Sequence, residues 1–243
     1  MALFALLLHA IFPARCPGCE GLHASVPSSP RLCRSCLDAC RPPVPPLCQR
    51  CGDTVAAATS RGDLCVACRR EPPAFVTARA AALYEPDDPP PPLVAAIHAL
   101  KYRGQRGVAP ALAALMVERL ALPRPCVVVP VPLHPARLRH RGYNQAALIA
   151  RHLARSLAQP LALRVLARRA AAPQTGLGRA ARRRNLVGAF AVREPRRLGG
   201  GRVLLVDDVI TTGATADGCA QALLDAGAAR VDVVAAGRTP GWS

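Results

Sequence analysis

Two patterns in the sequence predict an α/β fold: a parallel sheet with helices on both faces, preceded by a small Cys-rich zinc-binding domain. The first is a set of four Cys-x-x-Cys pairs confined to residues 16–68. The second is an alternation of short apolar runs with helical stretches through residues 93–243. Strands alternating with helices imply right-handed crossovers, and hence a parallel sheet covered on both sides. The expected organisation is an N-terminal helix and double zinc ribbon over 1–71, a linker with a short strand over 72–92, and the sheet domain over 93–243.

A length of 243 residues allows one ordinary domain plus a small appendage. Lys and Arg total 32 against 15 acidic residues, a net charge of +17, so an anionic partner is expected. Apolar residues at 51% exclude a disordered chain. Aromatics at 3% leave Ala, Leu and Val to build the core, and few rings to stack on bases.

The opening run MALFALLLHAIF is apolar, but no Lys or Arg precedes it and His9 interrupts it. Pro13, Ala14 and Arg15 follow without a small-x-small cleavage site. The run is too short to span a bilayer and reads as a short helix packed on the rest of the protein. No later segment is long and uncharged enough to span either, so a cytoplasmic protein with reduced thiols is expected.

Eight of the 11 cysteines form the pairs Cys16/Cys19, Cys33/Cys36, Cys48/Cys51 and Cys65/Cys68. The unit C-x2-C-x13-C-x2-C occurs twice, each ligand recurring 32 residues later. A two-residue gap turns the chain so that two thiolates face one ion, and a second such knuckle completes a tetrahedral Zn²⁺ site. Metal binding of this kind supplies about 10–16 kcal/mol, enough to organise a stretch with little core of its own. Redox pairs are disfavoured because no βαβ pattern lies nearby, and disulfides because the expected compartment is reducing. One or two structural Zn²⁺ ions are therefore expected, whether the pairs combine within each repeat or interleave. Cys40, Cys126 and Cys219 lie outside the array, and the last two read as small core residues.

Prolines at 72, 73 and 89–92 mark the change to the second domain, with a short strand over 76–83 between them. Helices follow over 93–102 and 110–120, then a β-branched run over 126–131. The helix over 144–157 carries Ala147, Ile149, Ala150, Leu153 and Leu157 on its apolar face. A strand is expected over 161–166, another over 202–206, a helix over 215–226 closed by Gly227, and a last strand over 230–236. Ligands of such sheets sit beyond the carboxyl ends of the strands.

The most informative stretch is VLLVDDVITTGAT, residues 203–215. An apolar strand runs into Asp207 and Asp208, then through Thr211, Thr212, Gly213, Ala214 and Thr215 into a helix. Adjacent carboxylates can accept hydrogen bonds from the vicinal hydroxyls of a ribose. Hydroxyl residues around a glycine let backbone amides converge on a phosphate, and the helix start adds its positive dipole end. Taken separately, the acids read equally as a metal site and the threonines as a helix cap. No G-x-x-x-x-G-K-[ST] loop is present, and the glycines at 199–201 precede their strand.

This string resembles the fingerprint of the type I phosphoribosyltransferases. The resemblance implies that Asp207 and Asp208 hold the ribose hydroxyls of phosphoribosyl pyrophosphate, brought with Mg²⁺, and that residues 211–215 cradle its 5′-phosphate. Residues 98–104 (HALKYRG), 129–150 (VPVPLHPARLRHRGYNQAALIA) and 174–190 (QTGLGRAARRRNLVGAF) narrow the match. With the cysteine array, they resemble the ComF family, a double zinc ribbon joined to a phosphoribosyltransferase domain. The third stretch departs from the family pattern, with Ala181 where a Glu is expected before Arg182. Membership implies a role in DNA uptake during natural transformation, beside a ComF helicase.

Position suggests roles for the remaining residues. Val131 and Pro132 follow a strand, so their loop would hold a pyrophosphate through backbone amides. Arg137 lies just beyond, and Arg179, Arg182, Arg183 and Arg184 sit on a Gly-containing segment suited to a mobile lid. Lys101 is the only lysine beside 31 arginines, which suggests a need for a compact ammonium on a phosphate. Lys101, Arg137 and Arg182 are the cations expected at a reacting centre, with an acceptor that no feature identifies. A non-catalytic sensor of phosphoribosyl pyrophosphate, or an adaptor for single-stranded DNA, fits the same features.

Overall fold

The computed structural model describes residues 15–21, 32–55, 64–87, 89–169 and 188–241. The expected N-terminal helix and the 174–185 segment with Arg182 lie outside these residues. Short helices α1 (Arg34–Ala39) and α2 (Val66–Arg70) belong to the cysteine repeats. There follow β1 (Thr77–Leu83), α3 (Pro92–Tyr102), α4 (Ala109–Arg119), β2 (Val127–Pro130), α5 (Pro135–Arg141) and α6 (Gln145–Leu157). The chain continues through β3 (Leu166–Arg168), β4 (Phe190–Val192), β5 (Arg202–Ile210), α7 (Ala214–Asp225) and β6 (Arg230–Arg238). Among the described residues, no helix is long and apolar enough to cross a membrane.

Four strands form a parallel sheet in the order β1-β6-β5-β2, and β3 pairs antiparallel with β4. β5 and β6 occupy the centre because both read as long apolar runs, buried along most of their length. Helices α3, α4 and α6 share one apolar cluster, and α7 with the paired strands β3 and β4 shares the other. Close approach matters on the first face: a Cβ on Gly237 would stand 3.1 Å from Tyr84 and 3.2 Å from Leu93.

The short strand of the 72–92 segment is the edge strand of the sheet, with Thr77 opposite Asp232 and Leu83 opposite Arg238. The cysteine repeats cover its outer side. Ala78 N–H donates to Arg50 O at 2.6 Å, and Leu83 N–H to Arg41 O at 2.7 Å. Cys16, Cys36 and Cys40 join the cluster on the α3–α4 face, whereas Cys48, Cys51 and Cys68 join the one on the α7 face. The two repeats therefore straddle the sheet edge and protect it from pairing with another chain.

Two local expectations need correction. The strand expected over 161–166 is displaced: Leu161 makes a single bridge to Val128, the chain turns at Leu163 and Arg164, and pairing resumes at Leu166 with β4. Ala162, Val165 and Leu166 are buried, but Leu163 is 37% exposed at the turn, so the apolar run does not continue as a buried strand. The arginine-rich stretch after Pro132, read as loop, contains α5. Pro135 opens that helix, His134 Nδ1 accepts from Ala136 N–H at 3.2 Å, and Gly142 closes it at φ +77°. Proline inside the start and glycine past the end was the available signal.

Candidate functional site

The cysteines assemble within each repeat. Cys16, Cys19, Cys33 and Cys36 bring their sulfurs within 4.8 Å of one another, as do Cys48, Cys51, Cys65 and Cys68. Sulfur separations of 3.8 Å for Cys19–Cys33 and 3.7 Å for Cys51–Cys65 match the edge of a tetrahedron with metal–sulfur bonds of about 2.3 Å. They are far longer than a disulfide of about 2.0 Å. Backbone amides support the sulfurs in the same places: Cys33 N–H donates to Cys16 Sγ and Cys65 N–H to Cys48 Sγ, both at 3.3 Å. The donor set fits structural Zn²⁺. Cys40, Cys126 and Cys219 are buried and belong to neither group, and burial pushes the Cys219 thiol well up.

The repeat extends to the backbone. Glu20 N–H donates to Cys16 O at 2.7 Å, and Gly52 N–H, 32 residues on, to Cys48 O at 2.8 Å. Both residues are left-handed, at φ 60° and 73°. Glu20 then carries a side chain that reaches Arg103 at 2.8 Å, tying the first repeat to the end of α3.

Beyond the carboxyl ends of β2 and β5 lies a cavity of about 180 Å³. Asp207 and Asp208 line it, with Val131 and Pro132 after β2, Thr215 in the first turn of α7, and Lys101, Arg137, Arg141 and Arg168 around them. Asp208 is buried at 3% exposure and receives Lys101 Nζ at 2.5 Å on Oδ2 and Gln145 Nε2 at 3.3 Å on Oδ1. Burial alone would raise its pKa, but the Lys101 ammonium and the hydrogen bonds hold it below the ordinary carboxylate value. Asp207 is half-buried, and its Oδ1 accepts from Asp208 N–H at 2.9 Å. Burial and the neighbouring Asp208 charge raise it well above the ordinary value. Lys101 is desolvated, yet Asp208 raises its pKa on balance, so it stays charged.

Several expectations about roles change with this geometry. Lys101 is held in an ion pair by Asp208 and also lines the cavity. Val131 N–H is used by Val206 O at 2.9 Å, and Pro132 has no N–H, so amides that could face a pyrophosphate begin at Leu133. Of the turn residues, Thr215 lines the cavity, Thr211 is exposed, Thr212 half-buried, and Gly213 and Ala214 buried. Gly213 takes φ +66° as the N-cap of α7, a conformation that favours glycine. Arg137 is exposed at the rim.

Arg168 was not among the expected residues. It sits on β3, half-buried, with its guanidinium 5.6 Å from the Phe190 ring centroid. Burial and the nearby Arg137 charge lower its pKa. Nothing local distinguishes it from the other arginines; the β3–β4 pairing alone brings it to the cavity. Gln145 and Asn144 have supporting roles. Gln145 links Arg141, at 2.6 Å, to Asp208, while Asn144 caps α6 and donates to Val131 O at 2.9 Å.

Comparison with known proteins agrees with this architecture. The double zinc ribbon domain family matches residues 7–69. The DNA utilization protein YhgH of Salmonella typhi is 35% identical over 210 residues, covering 83% of this chain and 88% of its own length. That of Shigella flexneri is 35% identical over 195 residues, covering 77% and 82%. Competence protein F of Haemophilus influenzae is 38% identical over 122 residues, covering 48% and 51%.

Proposed function

The chain belongs to the ComF family, and from that premise we propose that it is a phosphoribosyltransferase-like protein that binds phosphoribosyl pyrophosphate with Mg²⁺ in support of DNA uptake. The observation that carries the reading is the meeting of Asp207, Asp208 and Thr215 in one cation-rimmed cavity at the sheet's carboxyl edge. A paired acid to accept from the sugar hydroxyls, beside a glycine turn and the start of a 12-residue helix to donate to the phosphate, is what a sugar phosphate needs.

The two acids divide the work. Asp207 accepts from the ribose hydroxyls. Asp208 holds Lys101 in place from behind. The amides of residues 211–215 and the dipole of α7 take the 5′-phosphate. Lys101, Arg137 and Arg168 face the side from which a pyrophosphate leaves, in a partly desolvated site where their charge counts for more than in water. Mg²⁺ carried by the substrate would neutralise further leaving-group charge. A nitrogen acceptor and actual turnover are part of the proposal, with Arg182 as an added cation on the leaving group.

Isothermal titration with phosphoribosyl pyrophosphate and Mg²⁺ tests this. Binding is expected in the parent protein and loss in Asp207→Asn and Asp208→Asn; affinity untouched by both variants would remove the ribose assignment.

A second reading, an adaptor for single-stranded DNA in the cytoplasm acting beside a helicase, is favoured by the net charge of +17 and by the relatives named for DNA utilization and competence. Phosphate contacts of that kind weaken steeply with salt. Gel shifts across a salt series should show that dependence, and no retardation at low salt would eliminate the adaptor.

A further inference from the structure

Beside the ribose cavity opens a second one of about 570 Å³, sharing Lys101, Tyr102, Arg137 and Arg141 with it and completed by Gly104, His140 and Tyr143. Its volume is within the roughly 300–1,000 Å³ of sites for small organic ligands. The walls are the end of α3 and the outer side of α5. Arg106 adds a guanidinium 4.6 Å from the Tyr143 ring centroid. Among the described residues, no carboxylate pairs with Arg106, Arg137, Arg139 or Arg141. A recess walled by several uncompensated cations favours an anion.

Tyr102 makes the site more specific. In a chain with 3% aromatics, this ring stands 71% exposed at the shared rim. His98 supports it edge-on at 5.4 Å, and the Arg141 guanidinium lies 5.5 Å from its centroid. An exposed, propped ring next to such cations is the pairing that holds a base by stacking and its phosphate by charge. We propose that this cavity is a nucleotide subsite, taking a nucleoside monophosphate unit with its base on Tyr102 and its phosphate among Arg137, His140 and Arg141.

The unit can come from a free mononucleotide or from the phosphorylated end of a single strand. The inference deepens the nucleic-acid reading above and rests on it, but it does not need the ribose cavity to be filled. Fluorescence anisotropy on the full chain tests it with three probes: labelled deoxythymidine monophosphate, a short 5′-phosphorylated single strand, and its 5′-hydroxyl twin. The phosphorylated strand is expected to bind about tenfold more tightly than its twin, the scale of one or two charge-assisted hydrogen bonds to the terminal phosphate. Tyr102→Ala should weaken it by about tenfold while Tyr102→Phe keeps it, as expected for one stacked base. The ring's exposure means that neither change disturbs the fold, which thermal unfolding verifies. Binding of the mononucleotide alone assigns a free nucleotide as the source, and binding of the strand assigns a strand end. Measurable binding of the two strands with equal affinity, or no effect of Tyr102→Ala on whichever probe binds, overturns the subsite. Displacement by phosphoribosyl pyrophosphate also overturns it, because it would merge the two cavities. Tyr102-dependent binding in a protein that ignores phosphoribosyl pyrophosphate supports the subsite and sinks the ribose assignment alone.

Discussion

Lys101 Nζ lies 2.5 Å from Asp208 Oδ2, and the two side chains are 17% and 4% exposed. The pair joins the end of α3 to the end of β5, so it closes the sheet's carboxyl edge from one side. Breaking a buried pair from one partner leaves an uncompensated charge. Lys101→Met should therefore lower unfolding stability by about 3 kcal/mol, read from urea melts. Lys101→Met combined with Asp208→Leu should lose less than the two single changes summed, because no charge is then stranded.

The acidic doublet predicts opposite stability effects. Asp207 has a folded pKa above its unfolded value, so its ionised form opposes folding once the pH exceeds the ordinary Asp value of about 3.9. Asp207→Asn should raise the melting temperature at neutral pH. Asp208 has a lowered folded pKa, so it contributes stability above the ordinary value and loses it as pH falls through the folded pKa. Asp208→Asn should lower the neutral-pH melting temperature and flatten the acid limb. Melting curves between about pH 3 and pH 7 check both signs.

Metal analysis should find two Zn²⁺ per chain, one for each four-cysteine group. Chelation should disorder the repeats and uncover the β1 edge, seen as faster amide exchange at Ala78 and Leu83. Cys16→Ser or Cys48→Ser should each remove one ion, while Cys126→Ala leaves both.

Gly52 and Gly199 separate steric from conformational cost. Both have positive φ, 73° and 59°. A Cβ on Gly52 would stand 2.3 Å from Ala78 O, whereas nothing lies within 4 Å of one on Gly199. Gly199→Ala should cost about 1–2 kcal/mol, the strain of a left-handed alanine. Gly52→Ala should cost clearly more, because the second repeat must move off β1. Paired urea melts of the two variants decide it, and equal midpoints would deny the close docking.

Legibility in the sequence followed the range of the interaction. Each Cys-x-x-Cys knuckle and the acids and threonines of residues 207–215 are contiguous, so covalent distance alone places the members of each together, whereas which two knuckles share an ion is not fixed by spacing. The strand of the 72–92 segment was visible as an element, but its place at the sheet edge was not, because that depends on Thr77 meeting Asp232.

By itself, the sequence determined the zinc chemistry of the two repeats, the parallel α/β class and the acidic strand end, since each is written in local spacing or periodicity. Tertiary structure alone decided that the cysteine pairs combine within each repeat, that Lys101 neutralises Asp208, that Arg168 reaches the cavity, and that Tyr102 stands exposed beside arginines that pair with no carboxylate among the described residues. Those outcomes join segments distant in the chain. Burial and charge select among such contacts only after the sheet has set the distances, and no linear pattern encodes that choice.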